Sequence, residues 1–339
     1  MKNSFRKSVI VSLILVYLVI AAGSVVRMTG SGMGCPDWPK CFGYWIPPTE
    51  RDQLDWKANH PYEEGQVIIL DEELRVAKNN FLSTGAFNAN NWDYYTKHNY
   101  AIFNAYHTWI EYINRLLGVL AGLAVLVMTV LSFWSRKKSA SFPIIAVLIL
   151  LGMGFQAWLG KIVVDSNLTP YKISLHMGMA LLIVLGLIFL VYATQKKSIS
   201  IPATPQLKLW AWAAVLLTLF QIGLGTQVRQ YVDTQMHQTA SLWLDSAPLK
   251  FYVHRSLSLL VLGVHFILFL KLRKHNHNLK VFYQILGLIG LEIITGIIMY
   301  YLDFPFSSQP IHLILAALLF GCQSFFILQM ISNRKNYDL

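Results

Sequence analysis

Three histidines, His176, His254 and His312, each fall inside an apolar run long enough to cross a bilayer. Ionisable side chains are uncommon within membrane spans and are usually functional where they occur. His254 and His312 lie about one turn inside the same end of their spans, roughly 6 Å deep at helical rise, on adjacent members of one expected bundle. Two neutral imidazoles from facing helices are the usual axial ligands of a haem inside a bundle. The plainer alternative is an isolated polar residue bonded to a neighbouring helix. His176 matches the depth of His312, but its counterpart on the second span is Asn114, a poor iron ligand. A haem on that side would be held by His176 alone, with an open or water-filled sixth position that suits chemistry better than electron storage.

On the second span Glu111, Asn114, Arg115 and Gly118 follow i, i+3, i+4, i+7 and share one helix face, with His107 one turn above Glu111. Glu111 there could act as an acid–base or charge-stabilising group beside a substrate; a Glu111–Arg115 pair is the bland reading. His107 is the weaker candidate for the missing ligand, because it stands roughly 10 Å along the axis from Asn114. Arg27, Arg115, Arg229 and Arg255 sit at helix ends of the same side, where a guanidinium could clamp a haem propionate or simply snorkel. Cys35 and Cys41 frame a short loop, Cys35-Pro36-Asp37-Trp38-Pro39-Lys40-Cys41, on the expected oxidising side, which favours a disulfide. Structural staple and redox couple both remain open for that pair.

The elements that must position these residues are membrane helices. Of 339 residues, 55% are hydrophobic and only 13% charged, well below the roughly 25% of soluble domains. A cytosolic globular protein is thereby excluded. The net charge of +11 comes as short basic clusters between apolar runs, so it marks membrane topology rather than a nucleic-acid face. Three cysteines support neither a disulfide-rich scaffold nor a zinc module. Eight spans of about 20 residues are expected, near 8–27, 110–134, 142–161, 173–194, 208–228, 251–270, 281–301 and 310–331. Lys and Arg cluster on one side of them, so both termini are expected in the cytoplasm and segment 28–109 outside, as a folded or partly helical cap.

An internal repeat organises the spans. Asn114-Arg115 of span two matches His254-Arg255 of span six; Gln156 and Gly160, Gln221 and Gly225, and Glu292 and Gly296 each set a polar residue four before a glycine. Gly23 precedes Arg27 by four, as Gly225 precedes Arg229. The expected fold is therefore an all-α integral membrane protein of eight transmembrane helices. They form two pseudo-symmetric four-helix bundles, 1–198 and 199–339, related by an axis along the membrane normal.

These residues resemble the haem A synthase family, which converts the C8 methyl of haem O to a formyl group. The resemblance spans the chain and rests on Gly23 through Arg27 running into Thr29-Gly30-Ser31-Gly32, Cys35 through Cys41, Glu111 with Arg115, His176, His254-Arg255 and His312. It implies haem b as cofactor in the C-terminal half, ligated by His254 and His312 with Arg255 and Arg229 nearby. It also implies haem O as substrate in the N-terminal half, near His176, Asn114, Arg115, Arg27 and His107, with Glu111 catalytic. The cysteine pair serves redox transfer in part of the family. The implied partners are haem O, the farnesyltransferase that supplies it, an electron acceptor such as quinone and the bilayer of the bacterial inner membrane. A homo-oligomer stays open. This chain departs from the family pattern at Asn114, where a histidine is typical, and in its long outer segment. The rival reading is a non-enzymatic dihaem b-type cytochrome fed by quinol; a transporter with inverted repeats fits a same-orientation repeat poorly.

Overall fold

The computed structural model describes residues 2–96, 102–135, 139–166, 168–195, 201, 204–238, 247–274 and 279–331. The half boundary expected at 198/199 lies outside the described residues, as do His98, His275 and His277. Among the described residues eight helices are long and apolar enough to cross a membrane. They are α1 (Lys2–Met28), α2 (Ala105–Trp134), α3 (Ser141–Asp165), α4 (Pro170–Ala193), α5 (Pro205–Gln238), α6 (Leu249–Lys274), α7 (Lys280–Tyr301) and α8 (Ser308–Ile331). A helix satisfies its own backbone in lipid, which is why such runs fold this way. On α2, Val119, Leu120, Leu123, Leu126, Val127 and Val130 are exposed, as a lipid-facing surface requires, while Ala121, Val125 and Met128 pack inward.

Helices α1 to α4 close a ring, each against the next and α4 back on α1; α5 to α8 repeat the arrangement, and the rings meet where α8 packs on α1 and α4. A shared core runs through that junction, including Val9, Val16, Val184, Leu187, Ala317 and Phe320. Helix α2 starts at Ala105, so His107 belongs to it, and Asn104 caps it by accepting from the Tyr106 and His107 backbone N–H groups at 3.0 and 3.3 Å. Helix α5 runs ten residues beyond the expected end at 228, to Gln238.

The segment between α1 and α2 is a folded cap of short strands with three 3-10 helices, Ser31–Met33, Arg51–Leu54 and Ala89–Asn91. A three-stranded antiparallel sheet orders β2 (Val67–Leu70), β3 (Glu73–Ala77) and β5 (Trp92–Tyr94), and β1 (Pro61–Tyr62) pairs with β4 (Phe81–Leu82). The β2–β3 hairpin turns on Asp71 and Glu72, both at positive φ, which matches the twist of the flanking strands. Strand β2 is buried on both faces: Val67 and Ile69 join Cys35, Cys41, Phe42 and Leu54, while Ile68 joins Tyr62, Ala77 and Trp92. Gly34 docks the cap on α2, because a Cβ there would lie 2.5 Å from the His107 carbonyl oxygen.

Candidate functional site

The repeat reappears as four matching slots. A Cβ built on Gly225 would lie 3.1 Å from His254 Cε1; on Gly160, 3.5 Å from His176 Cε1; on Gly296, 3.8 Å from His312 Cε1; and on Gly23, 3.8 Å from Asn114 Oδ1. Each marked side chain thus lies over a glycine of the preceding odd-numbered helix, tightly at Gly225 and at ordinary van der Waals distance from a Cβ at the other three. The polar residue one turn before each glycine also has a use. Gln156 Nε2 donates to the His176 carbonyl at 3.1 Å and Gln221 Nε2 to the His254 carbonyl at 2.7 Å. In the third slot Glu292 Oε2 stands 2.9 Å from the His312 ring Nδ1. In α1 the corresponding position is Val19, so the Asn114 slot lacks both a histidine and its polar neighbour.

His254 and His312 face each other with ring centroids 6.4 Å apart and planes at 75°. At that spacing one haem between the two rings could take an imidazole from each helix. Among the described residues no three His, Cys, Asp or Glu side chains gather for a metal ion. A haem asks less of the protein, since its macrocycle supplies the four equatorial nitrogens. In the first bundle His176 Nδ1 and Asn114 Oδ1 are buried without hydrogen-bond partners.

Glu111 and Arg115 are drawn toward the cap. Glu111 is 4% exposed; its Oε2 accepts the Cys35 backbone N–H at 2.8 Å and its Oε1 takes Arg115 at 2.5 Å. Arg115 also donates to the carbonyls of Asp37 (2.7 Å), Lys40 (3.0 Å) and Cys35 (3.2 Å). Both of its terminal nitrogens are engaged by the loop. Cys35 and Cys41 are joined as a disulfide and fully buried. Inside the loop the Asp37 carboxylate accepts the Phe42 and Gly43 N–H groups at 2.5 and 2.8 Å. Burial pushes the Asp37 carboxyl above its ordinary value, with those N–H groups and Arg115 pulling the other way. Thr108 Oγ1 adds a bond to the Gly34 carbonyl at 2.8 Å. His107 supplies the backbone beneath Gly34, and its ring lies tilted at 55° to that of Tyr106 with centroids 6.0 Å apart.

The remaining arginines divide. Arg27 and Arg229 share one carboxylate, Asp233, at 2.9 and 2.6 Å, so an ion triad ties α1 to α5 across the two rings. Arg229 additionally donates to the Arg27 carbonyl at 3.4 Å, and its other terminal nitrogen is buried without a partner. Arg255, next to His254, has no carboxylate partner among the described residues; its guanidinium lies over the rings of Phe251, Tyr252 and Tyr300 at 5.5–6.0 Å.

Four residues here carry work that the sequence reading did not assign. Glu292 was visible as the polar residue before Gly296, and its acidity was the signal. Asp233 lay beyond the expected end of its span. Asp37 was one acid in an acid-rich segment. His265 is buried at the uncapped end, where its Nδ1 bonds to the Val261 carbonyl at 2.7 Å and Gln323 donates to its Nε2 at 2.8 Å and to Thr218 at 2.9 Å.

Fold and site together define a multi-pass membrane protein that sets an imidazole pair between facing helices of its second bundle and carries a disulfide-strapped cap on α2 of its first. The chain belongs to the COX15-CtaA family, described as cytochrome oxidase assembly protein, which it matches over residues 6–84 and 86–324. It is similar to the haem A synthase of Wolbachia pipientis wMel, 25% identical over 93% of this chain and 89% of the relative. The haem A synthase of Bartonella tribocorum is also 25% identical, over 88% and 85%. That of Wolbachia from Culex pipiens is 24% identical over 91% and 92%.

Proposed function

We propose that this chain oxidises the C8 methyl of haem O to a formyl group, giving haem A. Family membership and relatives named haem A synthase make it an enzyme of that biosynthesis, which is an oxidation. The single observation that carries the cofactor assignment is the 6.4 Å spacing of His254 and His312, each seated against its own glycine. These two would hold haem b, with Arg255 free to meet a propionate. Bound there, its iron supplies reversible one-electron transfer. Arg229 and Arg27, joined through Asp233, present the excess positive charge of two guanidinium groups over one carboxylate at the junction of the rings.

The substrate haem belongs to the first bundle, at His176. Because Asn114 and Val19 occupy the facing slot, His176 is the one strong ligand the slot pair offers, which suits a molecule that must enter and leave. With water as the oxygen source the reaction balances as methyl plus water giving formyl, four protons and four electrons, through an alcohol and a hydrated aldehyde that loses water. Glu111 is the acid–base group of the reading: its carboxylate is held in place by Cys35 N–H and Arg115 and accepts a proton released as the carbon is oxidised. The cap excludes bulk water from that end. Haem b held by His254 and His312 would supply the one-electron chemistry, and the four electrons go to an acceptor, with quinone the class considered. The reading also takes both termini as cytoplasmic, the bacterial inner membrane as the location and the haem O-forming farnesyltransferase as the supplier.

The test is expression in a host that makes haem O, followed by extraction and mass identification of the haems. Haem A that disappears in Glu111→Ala while haem B is retained supports the reading. Bound haem B with haem O left unchanged by the native sequence would overturn it in favour of a dihaem electron carrier.

A further inference from the structure

The three polar residues that precede slot glycines are not equivalent. Gln156 and Gln221 are neutral and donate to backbone carbonyls of the helices that carry His176 and His254. Glu292 is an acid, and it reaches the ring itself: its Oε2 lies 2.9 Å from His312 Nδ1. Thr295 Oγ1 lies 2.8 Å from the same nitrogen and 3.0 Å from the Leu291 and Glu292 carbonyls. The threonine's one proton can go to either carbonyl, which lets its oxygen face the ring as an acceptor while the carboxylate holds the ring proton on Nδ1. Two acceptors aimed at Nδ1 fix the proton on that nitrogen and leave Nε2 with its lone pair free. His254 has no such support, because its Nδ1 is buried without a partner. Glu292 Oε1 is likewise buried without a partner, and the side chain is 15% exposed.

We propose that Glu292 is a positioning residue that gives His312 anionic character as an axial ligand and thereby holds the haem of the second bundle at a lower reduction potential than a neutral residue would. The inference rests on the reading that His254 and His312 ligate that haem. A carboxylate accepting the outer ring N–H raises the basicity of the ligating nitrogen. It also sets a negative charge near an iron–porphyrin core that carries one positive charge when ferric and none when ferrous, and so favours the ferric form. A carboxylate inside a membrane span is costly unless it is compensated; the His312 N–H and the ferric core compensate this one. The consequence is directional: the haem is a better donor to its acceptor and a poorer store of electrons.

The experiment is a potentiometric titration of the full-length, haem-loaded protein, read by the low-spin optical and paramagnetic resonance signals. Glu292→Gln keeps shape and an acceptor oxygen but removes the charge. It is expected to keep the low-spin spectrum and shift the reduction equilibrium about tenfold toward ferrous, about 59 mV upward for a one-electron couple. Thr295→Val removes the competing acceptor, leaves the Nδ1 proton to the carboxylate alone and is expected to move the midpoint down. An unchanged midpoint in Glu292→Gln overturns the proposal while leaving the ligand reading intact. Should Glu292→Gln fail to bind haem, an unchanged or raised midpoint in Thr295→Val overturns it instead. Absence of a low-spin haem in the native protein overturns the ligand reading, and the proposal with it.

Discussion

Gly225 and His254 are fitted to each other: a single methyl group on the glycine would stand 3.1 Å from the histidine ring, closer than the matching contacts at Gly160 and Gly296. The ring would have to give by a few tenths of an ångström to admit even that methyl group.

A graded series follows from those distances. Gly225→Ala is expected to displace His254 and lose most of the low-spin haem signal. Gly296→Ala, with 3.8 Å available, is expected to keep it, and Gly263→Ala, with nothing within 4 Å, serves as the neutral control. Haem content per protein measured by pyridine haemochrome checks the order; equal loss at Gly225 and Gly296 would refute it.

Glu111→Ala leaves the Cys35 N–H and Arg115 without their acceptor at a site only 4% exposed. Removing one partner of a buried ion pair costs about 3–5 kcal/mol. A clear fall in thermal stability is expected together with loss of haem A formation, whereas Glu111→Gln, which retains an acceptor oxygen, should recover much of the stability but not the activity.

Asp233 is the one carboxylate shared by two arginines from different rings. Its side chain is 29% exposed, so Asp233→Ala is expected to cost about 1–2 kcal/mol, between the limits for exposed and buried pairs. A double-mutant cycle of Arg27→Ala with Arg229→Ala, read by thermal inactivation, should show coupling through the shared carboxylate; strict additivity would contradict it.

The cap should respond to acid through Asp37. Burial raises its carboxyl in the folded state above the unfolded value of about 3.9, so the folded state binds the proton more tightly. The contribution is fully present below the unfolded value and is lost as pH rises through the folded one. Hydrogen exchange of the Cys35–Cys41 loop should therefore quicken relative to Asp37→Asn as pH rises through that acidic window, after correction for intrinsic exchange.

Much of this arrangement was legible in the sequence, because membrane helices announce themselves by long apolar runs and a duplicated bundle repeats its polar exceptions at fixed depth. Gly160, Gly225 and Gly296 stood out for that reason, as did His176, His254 and His312. Asp233 was hidden because α5 continues past the apolar stretch, to Gln238, where hydropathy no longer marks a helix. The strands of the cap were hidden because each has only two to five residues and draws its burial from distant loops. The pairing of Arg115 with Glu111 was legible in their spacing, but its grip on the loop left no trace in residue types, since every carbonyl it holds belongs to the main chain and any residue carries one.

That last feature sets the evolutionary latitude of the strap. Arg115 grips Cys35, Asp37 and Lys40 by their peptide oxygens, so the lysine can be exchanged without loosening the grip. Drift in homologous loops should concentrate at positions such as Lys40 and the outward-facing Trp38, 41% exposed, while the arginine, the two half-cystines and the acid that tethers the Phe42 and Gly43 amides stay fixed.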